Sequence, residues 1–379
     1  MEWSAEALRE RFDANEPFTV GLEEEALLVD ATSGRLAPVA AQVVASAGVP
    51  AIKTELPACQ VEVLTTPHRT VAGAAADLVE GRRALLGACG DGVRPVAAAV
   101  HPFDQARDHP EAPVACSDRA ASLFEEYGHV ARRQLVSALQ VHVAVGHAEA
   151  TLAVFNALRG YLPELAALAA AAPFHEGRDT GLASVRPLIA GQLPRQGVPP
   201  IIPSWEALAD DLSWGARCGA VRDPGRWWWE LRPHLAHGTL EVRVPDVQPT
   251  VTAAAAVASV IQALVVHLTR RAIAGEPLGA PPTWRIAENR WAALRGGVHG
   301  DLADLETGER RPTARRLHEL LDEIEACSLG GLDAARPLIH HNAADELRSV
   351  GLEGAVAWLT EAYREGIPVP PVPTAARQG

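Results

Sequence analysis

Four short segments of strict apolar/polar alternation, at residues 19–29, 60–64, 139–145 and 239–244, constrain this chain more than any other feature. Successive side chains of a strand point to opposite faces, so each segment reads as two columns. In the first, Val20, Leu22, Ala26 and Leu28 share a face spoiled only by Glu24, and Glu23 and Glu25 occupy the other. In the second, Val61 and Val63 oppose Gln60 and Glu62. In the third, Leu139, Val141, Val143 and Val145 oppose Gln140 and His142, and in the fourth Leu240, Val242 and Val244 oppose Glu241 and Arg243. Each strand thus offers an apolar face suited to packing under helices. Joined in one sheet, the four would gather Glu23, Glu25, Glu62, His142, Glu241 and Arg243 on the opposite face.

Between the strands lie alanine-, leucine- and arginine-rich stretches that read as helices, at 71–89, 119–137, 150–171, 251–274, 285–295, 313–327 and 352–365. Ser204 is placed to cap a further helix running to about Arg217. The longest loop, 173–203, is punctuated by glycine and proline, and a loop of that length in a compact domain is usually functional or mobile. There is no internal repeat and no low-complexity linker. Strands spread over more than half the chain must meet in one sheet, so residues 1–367 are expected to form a single domain, followed by a Pro-rich disordered tail at 368–379.

The formal net charge of −13 argues against nucleic acid or an anionic membrane as the main partner. It leaves room for a phosphate ligand, because metal ions and arginines can invert the sign inside a cleft. Five scattered cysteines without C-x-x-C spacing read as reduced thiols of a cytoplasmic protein. Residues 1–15 are charged and lack the apolar core of a secretory signal. The stretch 251–268 approaches transmembrane length, but Gln262 and His267 interrupt it and alanine is weakly hydrophobic, so no membrane span is expected there.

A polar strand face ordinarily meets water. Here carboxylates dominate it, although glutamate is depleted in strands, and like charges on neighbouring strands repel unless something positive lies between them. Mg²⁺ takes oxygen ligands and binds together with substrate phosphates, which makes this face a candidate metal site. Glu55 precedes Glu62 with Pro57 between, so it should sit at a strand end or bend; alone it reads as a surface glutamate. The chain lacks a P-loop, a dinucleotide-binding glycine motif, a serine-hydrolase elbow and an H-E-x-x-H zinc motif. If it handles ATP, metals and arginines must do the work. In the long loop, Arg178 and Arg186 could bind a substrate carboxylate bidentately. The run Trp227–Trp229 cannot share one strand face, so one or two of the rings should pack in the core while another lines a cleft or a subunit contact.

Several pieces together resemble the type 2 glutamate–cysteine ligase-like carboxylate–amine ligases of bacteria. They are T-V-G-L-E-E-E from Thr19, E-L-x-x-x-Q-V-E from Glu55, V-H-V-A-V-G from Val141 and Y-L-P-E-L from Tyr161. P-F-H-E-G-R-D-T-G from Pro173, H-G-T-L-E-V-R from His237 and E-N-R-W-A-A from Glu288 complete the set. The resemblance implies an α+β, glutamine-synthetase-like fold: a curved, mainly antiparallel sheet with helices packed on one face. It implies ATP, Mg²⁺ (or Mn²⁺), amino-acid-like substrates and a homodimer. Carried over residue by residue, it makes Glu23, Glu25, Glu55, Glu62, His142 and Glu241 the metal ligands. Arg243 would clamp phosphate, with Glu241 beside it at the catalytic centre, and Arg178 and Arg186 would bind substrate. The chain departs from many relatives at Gln140, where they carry a second histidine, and at His175 and Leu182, where they carry aromatics. The implied reaction is amide formation, with γ-glutamyl-cysteine as one product, through an acyl phosphate. A guanidino-kinase-like phosphotransferase and a degenerate nucleotide-binding or scaffolding protein are the alternatives.

Overall fold

The computed structural model describes residues 3–105, 118–220 and 224–365; the expected tail at 368–379 and the end of the expected domain at 367 lie outside them. In chain order the first elements are α1 (Ala5–Asp13), β1 (Val20–Asp30), α2 (Ala40–Ala47), β2 (Ile52–Thr54), β3 (Gln60–Leu64), α3 (Val71–Cys89) and β4 (Val93–Val96). Next come α4 (Asp118–Arg132), β5 (Leu139–Val143), α5 (Ala148–Leu158), α6 (Leu162–Leu168), β6 (Phe174–His175), β7 (Arg178–Asp179) and α7 (Arg186–Ala190). Then follow α8 (Trp205–Arg217), β8 (Leu231–His234), β9 (Thr239–Val242), α9 (Val251–Ile273) and α10 (Thr283–Gly296). The last are β10 (Asp301–Ala303), β11 (Arg310–Pro312), α11 (Thr313–Ile324) and α12 (Ala343–Tyr363).

The four alternating segments lie side by side. The main sheet runs β2-β3-β1-β5-β9-β8, with β4 also on β1, and every pairing is antiparallel. The register sets Glu25 opposite Glu62, Glu23 opposite Gln140, and His142 opposite Glu241. The apolar columns Val20, Leu22, Ala26 and Leu28 of β1 and Leu139, Val141 and Val143 of β5 are fully buried in the main core, under α3 and α9. Among the described residues α9 alone is long and apolar enough to cross a membrane, but 78% of its most apolar window is buried inside the fold, so it is a core helix. Thr250 and Thr70 cap α9 and α3 by accepting from backbone N–H groups in the first turn, and Ser204 caps α8 as expected.

Several expectations need correction. The helix expected over 119–137 stops at Arg132, and the one expected over 150–171 breaks into α5 and α6 across a tight turn at Arg159–Tyr161. The helix expected from 352 is present and runs to Tyr363; a further helical segment from Ala343, started by the reciprocal capping box of Asn342 and Asp345, precedes it across a kink at Gly351, at φ +73. The loop 173–203 contains the β6–β7 hairpin and α7. Among the described residues, Cys89, Cys218 and Cys327 are free thiols.

Glu24 also departs from the simple column reading. It sits on the apolar face of β1 at zero exposure, where Arg82 of α3, equally buried, donates to both its oxygens at 2.8 and 2.6 Å. The same guanidinium donates to the carbonyls of Gln248 and Pro249 and lies 4.3 Å over the Tyr363 ring. The charge that spoils the pattern is a pin joining β1, α3, the start of α9 and the end of α12.

Candidate active site

The opposite face of the sheet collects the acidic residues into two groups. Ligand atoms of Glu23, His142 and Glu241 lie within 4.8 Å of one another, and so do those of Glu25, Glu55 and Glu62. Glu23 and Glu25 are two residues apart on β1, so the groups are about 7 Å apart along the strand. Glu55 enters from the turn after β2: its N–H donates to the Gln60 carbonyl, which sets it two pairs along from Glu62. All six residues expected from the sequence to act as ligands are therefore brought together.

In the first group, Nδ1 of His142 is hydrogen-bonded to Thr239 Oγ1 at 2.9 Å. Its Nε2 is buried and makes no hydrogen bond, although it lies 3.2 Å from Glu23 and 3.9 Å from Glu241. A ring fixed through one nitrogen while the other points between two carboxylates is the arrangement of a metal-ligating histidine. Burial pushes the Glu23 carboxyl up, but the approach and charge of His142 outweigh this and hold it at about 2. Glu241 is completely buried, which opposes ionisation, yet Arg243 and Arg232 hold it well below the usual carboxylate range. Arg243 Nη1 donates to both Glu241 and Gln140. Gln140 in turn donates to Glu25 at 3.0 Å, linking the two groups.

The second group is held differently. Burial first, and then the neighbouring Glu55, push the Glu25 carboxyl up to about 8. The same two causes raise Glu62 well above its ordinary value. Carboxylates crowded this closely, with Glu25 and Glu62 largely removed from water, favour protons or an added metal ion over ionisation alone. Both groups therefore fit hard divalent cations: the first by its orphaned imidazole nitrogen, the second by its oxygen donors.

A cavity of about 180 Å³ opens beside the second group, with Glu25, Glu55 and Arg243 in its lining. Arg186 also lines it, but its Nε donates to Asp246 at 2.6 Å and its Nη2 to the Val244 carbonyl at 2.7 Å, so those two nitrogens are engaged. Arg178 is exposed on β7 and is not among the lining residues.

Other residues of the site escaped the sequence reading. Arg232 forks onto Glu241 from β8, where Pro233 made a strand hard to read although Arg232 and His234 alternate with Leu231. His234 and His237 stack at 4.4 Å beside His142, and burial pushes His234 down to about 4. Lys53, the only lysine of the chain, stands directly opposite Glu62 on the polar face. Of the three tryptophans, Trp227 packs in the core against Trp229, and Trp228 lines the cavity. The E-N-R motif is explained by α10: Asn289 bonds both backbone groups of Ala303, and Arg290 forks onto Glu230 at the cavity wall.

Residues 19–362 match the profile of glutamate-cysteine ligase family 2. A candidate glutamate–cysteine ligase 2 of Thermobifida fusca is 33% identical over 376 residues, covering 94% of each chain. A candidate glutamate–cysteine ligase 2-3 of Rubrobacter xylanophilus is 38% identical over 316 residues, covering 82% of this chain and 84% of its own. Among solved structures, the glutamate–cysteine ligase of Francisella tularensis in complex with AMP superposes with a TM-score of 0.68 at 15% identity, over 91% of this chain and 87% of that one. The fold is thus the glutamine-synthetase-like one: a mostly antiparallel sheet with helices packed on one face.

Proposed function

The chain belongs to glutamate-cysteine ligase family 2 and is a ligase, and on that premise we propose that it joins a carboxylate to an amine at the expense of ATP, through an acyl phosphate. Glu23, His142 and Glu241 would hold one divalent cation, and Glu25, Glu55 and Glu62 a second. The observation that carries this reading is the buried Nε2 of His142, without a hydrogen bond between two carboxylates while Thr239 fixes Nδ1. With Nδ1 donating to Thr239, Nε2 would turn its lone pair to a cation held between Glu23 and Glu241.

In the first step a substrate carboxylate oxygen attacks the γ-phosphorus of ATP, and ADP leaves with the pair of electrons from the broken P–O bond. In the second the amine nitrogen attacks the acyl carbon, phosphate leaves, and the nitrogen loses a proton. The first step brings two anions together, so neutralising charge is the main task of the site. The cations would supply Lewis-acid stabilisation of the phosphate oxygens. Arg243 reaches the face between the two groups and would clamp the transferred phosphoryl group. Arg232 keeps Glu241 ionised and oriented, and Lys53 faces the same side from β2. The pairing of glutamate with cysteine is the product suggested by the relatives' names.

The test is phosphate and ADP release by the purified chain with ATP and Mg²⁺ against pairs of amino acids. Glu23→Gln and Glu241→Gln should each abolish ADP release while circular dichroism stays unchanged. Undiminished release by either variant would reject the assignment. A phosphorylated product without free phosphate would favour the kinase alternative, and nucleotide binding without turnover under every pair would favour a binding protein.

A further inference from the structure

The cavity beside the second carboxylate group has two chemically distinct walls. Glu25, Glu55 and Arg243 form one, and it is continuous with the proposed reaction centre. Leu123, Leu193, Tyr127 and Trp228 form the other. Tyr127 and Trp228 meet edge to face with ring centroids 5.6 Å apart. Arg195 fixes both: it donates to the Tyr127 hydroxyl at 2.7 Å and lies 5.7 Å over the Trp228 ring. The aromatic wall is therefore preorganised, and its phenol oxygen already has a donor.

The other charged groups of the lining are also committed. Glu230 is forked by Arg290, and Arg186 is tied to Asp246. A charged side chain turned toward the apolar wall would lose its water where Glu230 and Arg186 are already paired, which is costly. An apolar or flat side chain there would gain burial and edge-to-face contact. The volume of about 180 Å³ is many times the roughly 10–15 Å³ that one water centre needs.

We infer that one of the two substrates is an amino acid with an aromatic or branched apolar side chain, which packs on Leu123, Tyr127 and Trp228 while its charged group faces Glu25 and Arg243. This deepens the ligase reading and rests on it. It also gives the second tryptophan of the W-W-W run a function: it selects substrate.

The test uses the full chain with ATP, Mg²⁺ and a mixture of the twenty amino acids, reading phosphate release. Omitting Phe, Tyr, Trp, Leu, Ile and Val together should lower the rate about tenfold or more, the scale of discrimination an apolar pocket achieves. Omitting cysteine should leave it unchanged. The reverse pattern would overturn the inference and leave the ligase reading intact. Leu123→Trp, which adds bulk to the apolar wall, should lower kcat/KM for large apolar amino acids about tenfold more than for alanine; an equal fall with both, in a variant of unchanged melting temperature, would count against the pocket. If no mixture releases phosphate, the ligase reading itself fails, and calorimetry with phenylalanine decides the pocket. Binding that Leu123→Trp abolishes supports it, and no binding to the unaltered chain overturns it.

Discussion

Glu23, Glu24 and Glu25 are consecutive and chemically identical, yet the fold gives them three different lives. Glu23 is held ionised at about 2 beside His142, and Glu25 is pushed up to about 8 by burial and Glu55. Glu24 points the other way and is locked to Arg82. Alternation alone put Glu23 and Glu25 on one face and Glu24 on the other. It could not show that Arg82, 58 residues later, supplies the partner that makes a buried carboxylate tolerable. Removing one member of a buried pair strands the other, so Arg82→Met should destabilise the protein by about 3–5 kcal/mol. The double change Glu24→Leu with Arg82→Met should recover much of that loss. Urea denaturation of the three proteins checks both, and a double variant no more stable than Arg82→Met would show that the pin acts through its backbone carbonyl bonds instead.

At the scale of elements, segments whose pattern is dictated by burial were legible. β1, β3, β5 and β9 bury one complete column each, and α3 and α9 begin at 71 and 251 as expected. Elements shaped by special residues were not. β8 carries Pro233 and lies at the sheet edge, where a missing N–H is harmless, so its arginine and histidine went unread as site residues. The turn between β8 and β9 depends on Gly238, at φ +65. A Cβ there would fall 2.4 Å from the Arg11 carbonyl oxygen, and Asn15 binds the carbonyls of both His237 and Gly238. That turn fixes Arg232 opposite Glu241. Gly238→Ala should cost roughly 1–3 kcal/mol and also weaken Mn²⁺ binding. Gly48→Ala is the control: its φ is +62 but nothing lies within 4 Å, so it should show only the smaller backbone penalty and unchanged Mn²⁺ affinity. Equal effects of the two changes on Mn²⁺ affinity would sink this account of the turn.

Over the whole molecule, the sheet is a device for concentrating negative charge. Its helix-covered face contributes stability, and the opposite face works against it, because Glu25, Glu55 and Glu62 converge within 4.8 Å. The raised carboxyls set the sign of the pH dependence. Glu25 keeps its proton in the folded chain up to about 8 but loses it near its ordinary 4.5 when unfolded. Its contribution to the stability of the cation-free protein is fully present below that ordinary value and is lost as pH rises through about 8. Glu62 is shifted in the same direction. A cation entering this group must displace those protons, so its affinity should rise about tenfold per pH unit for each proton released, levelling off above the shifted value. In the first group Glu23 and Glu241 are already ionised in this range, so no carboxyl proton has to leave there. Between about pH 7 and pH 8, Mn²⁺ titration should therefore resolve one class of site whose affinity hardly changes and one that tightens steeply. Mg²⁺ should correspondingly raise the melting temperature more at the higher pH, since binding to the folded state alone stabilises it by mass action. Calorimetry in buffers of different ionisation enthalpy would count the protons released. Two sites of identical pH dependence would mean that the two carboxylate groups do not bind cations independently.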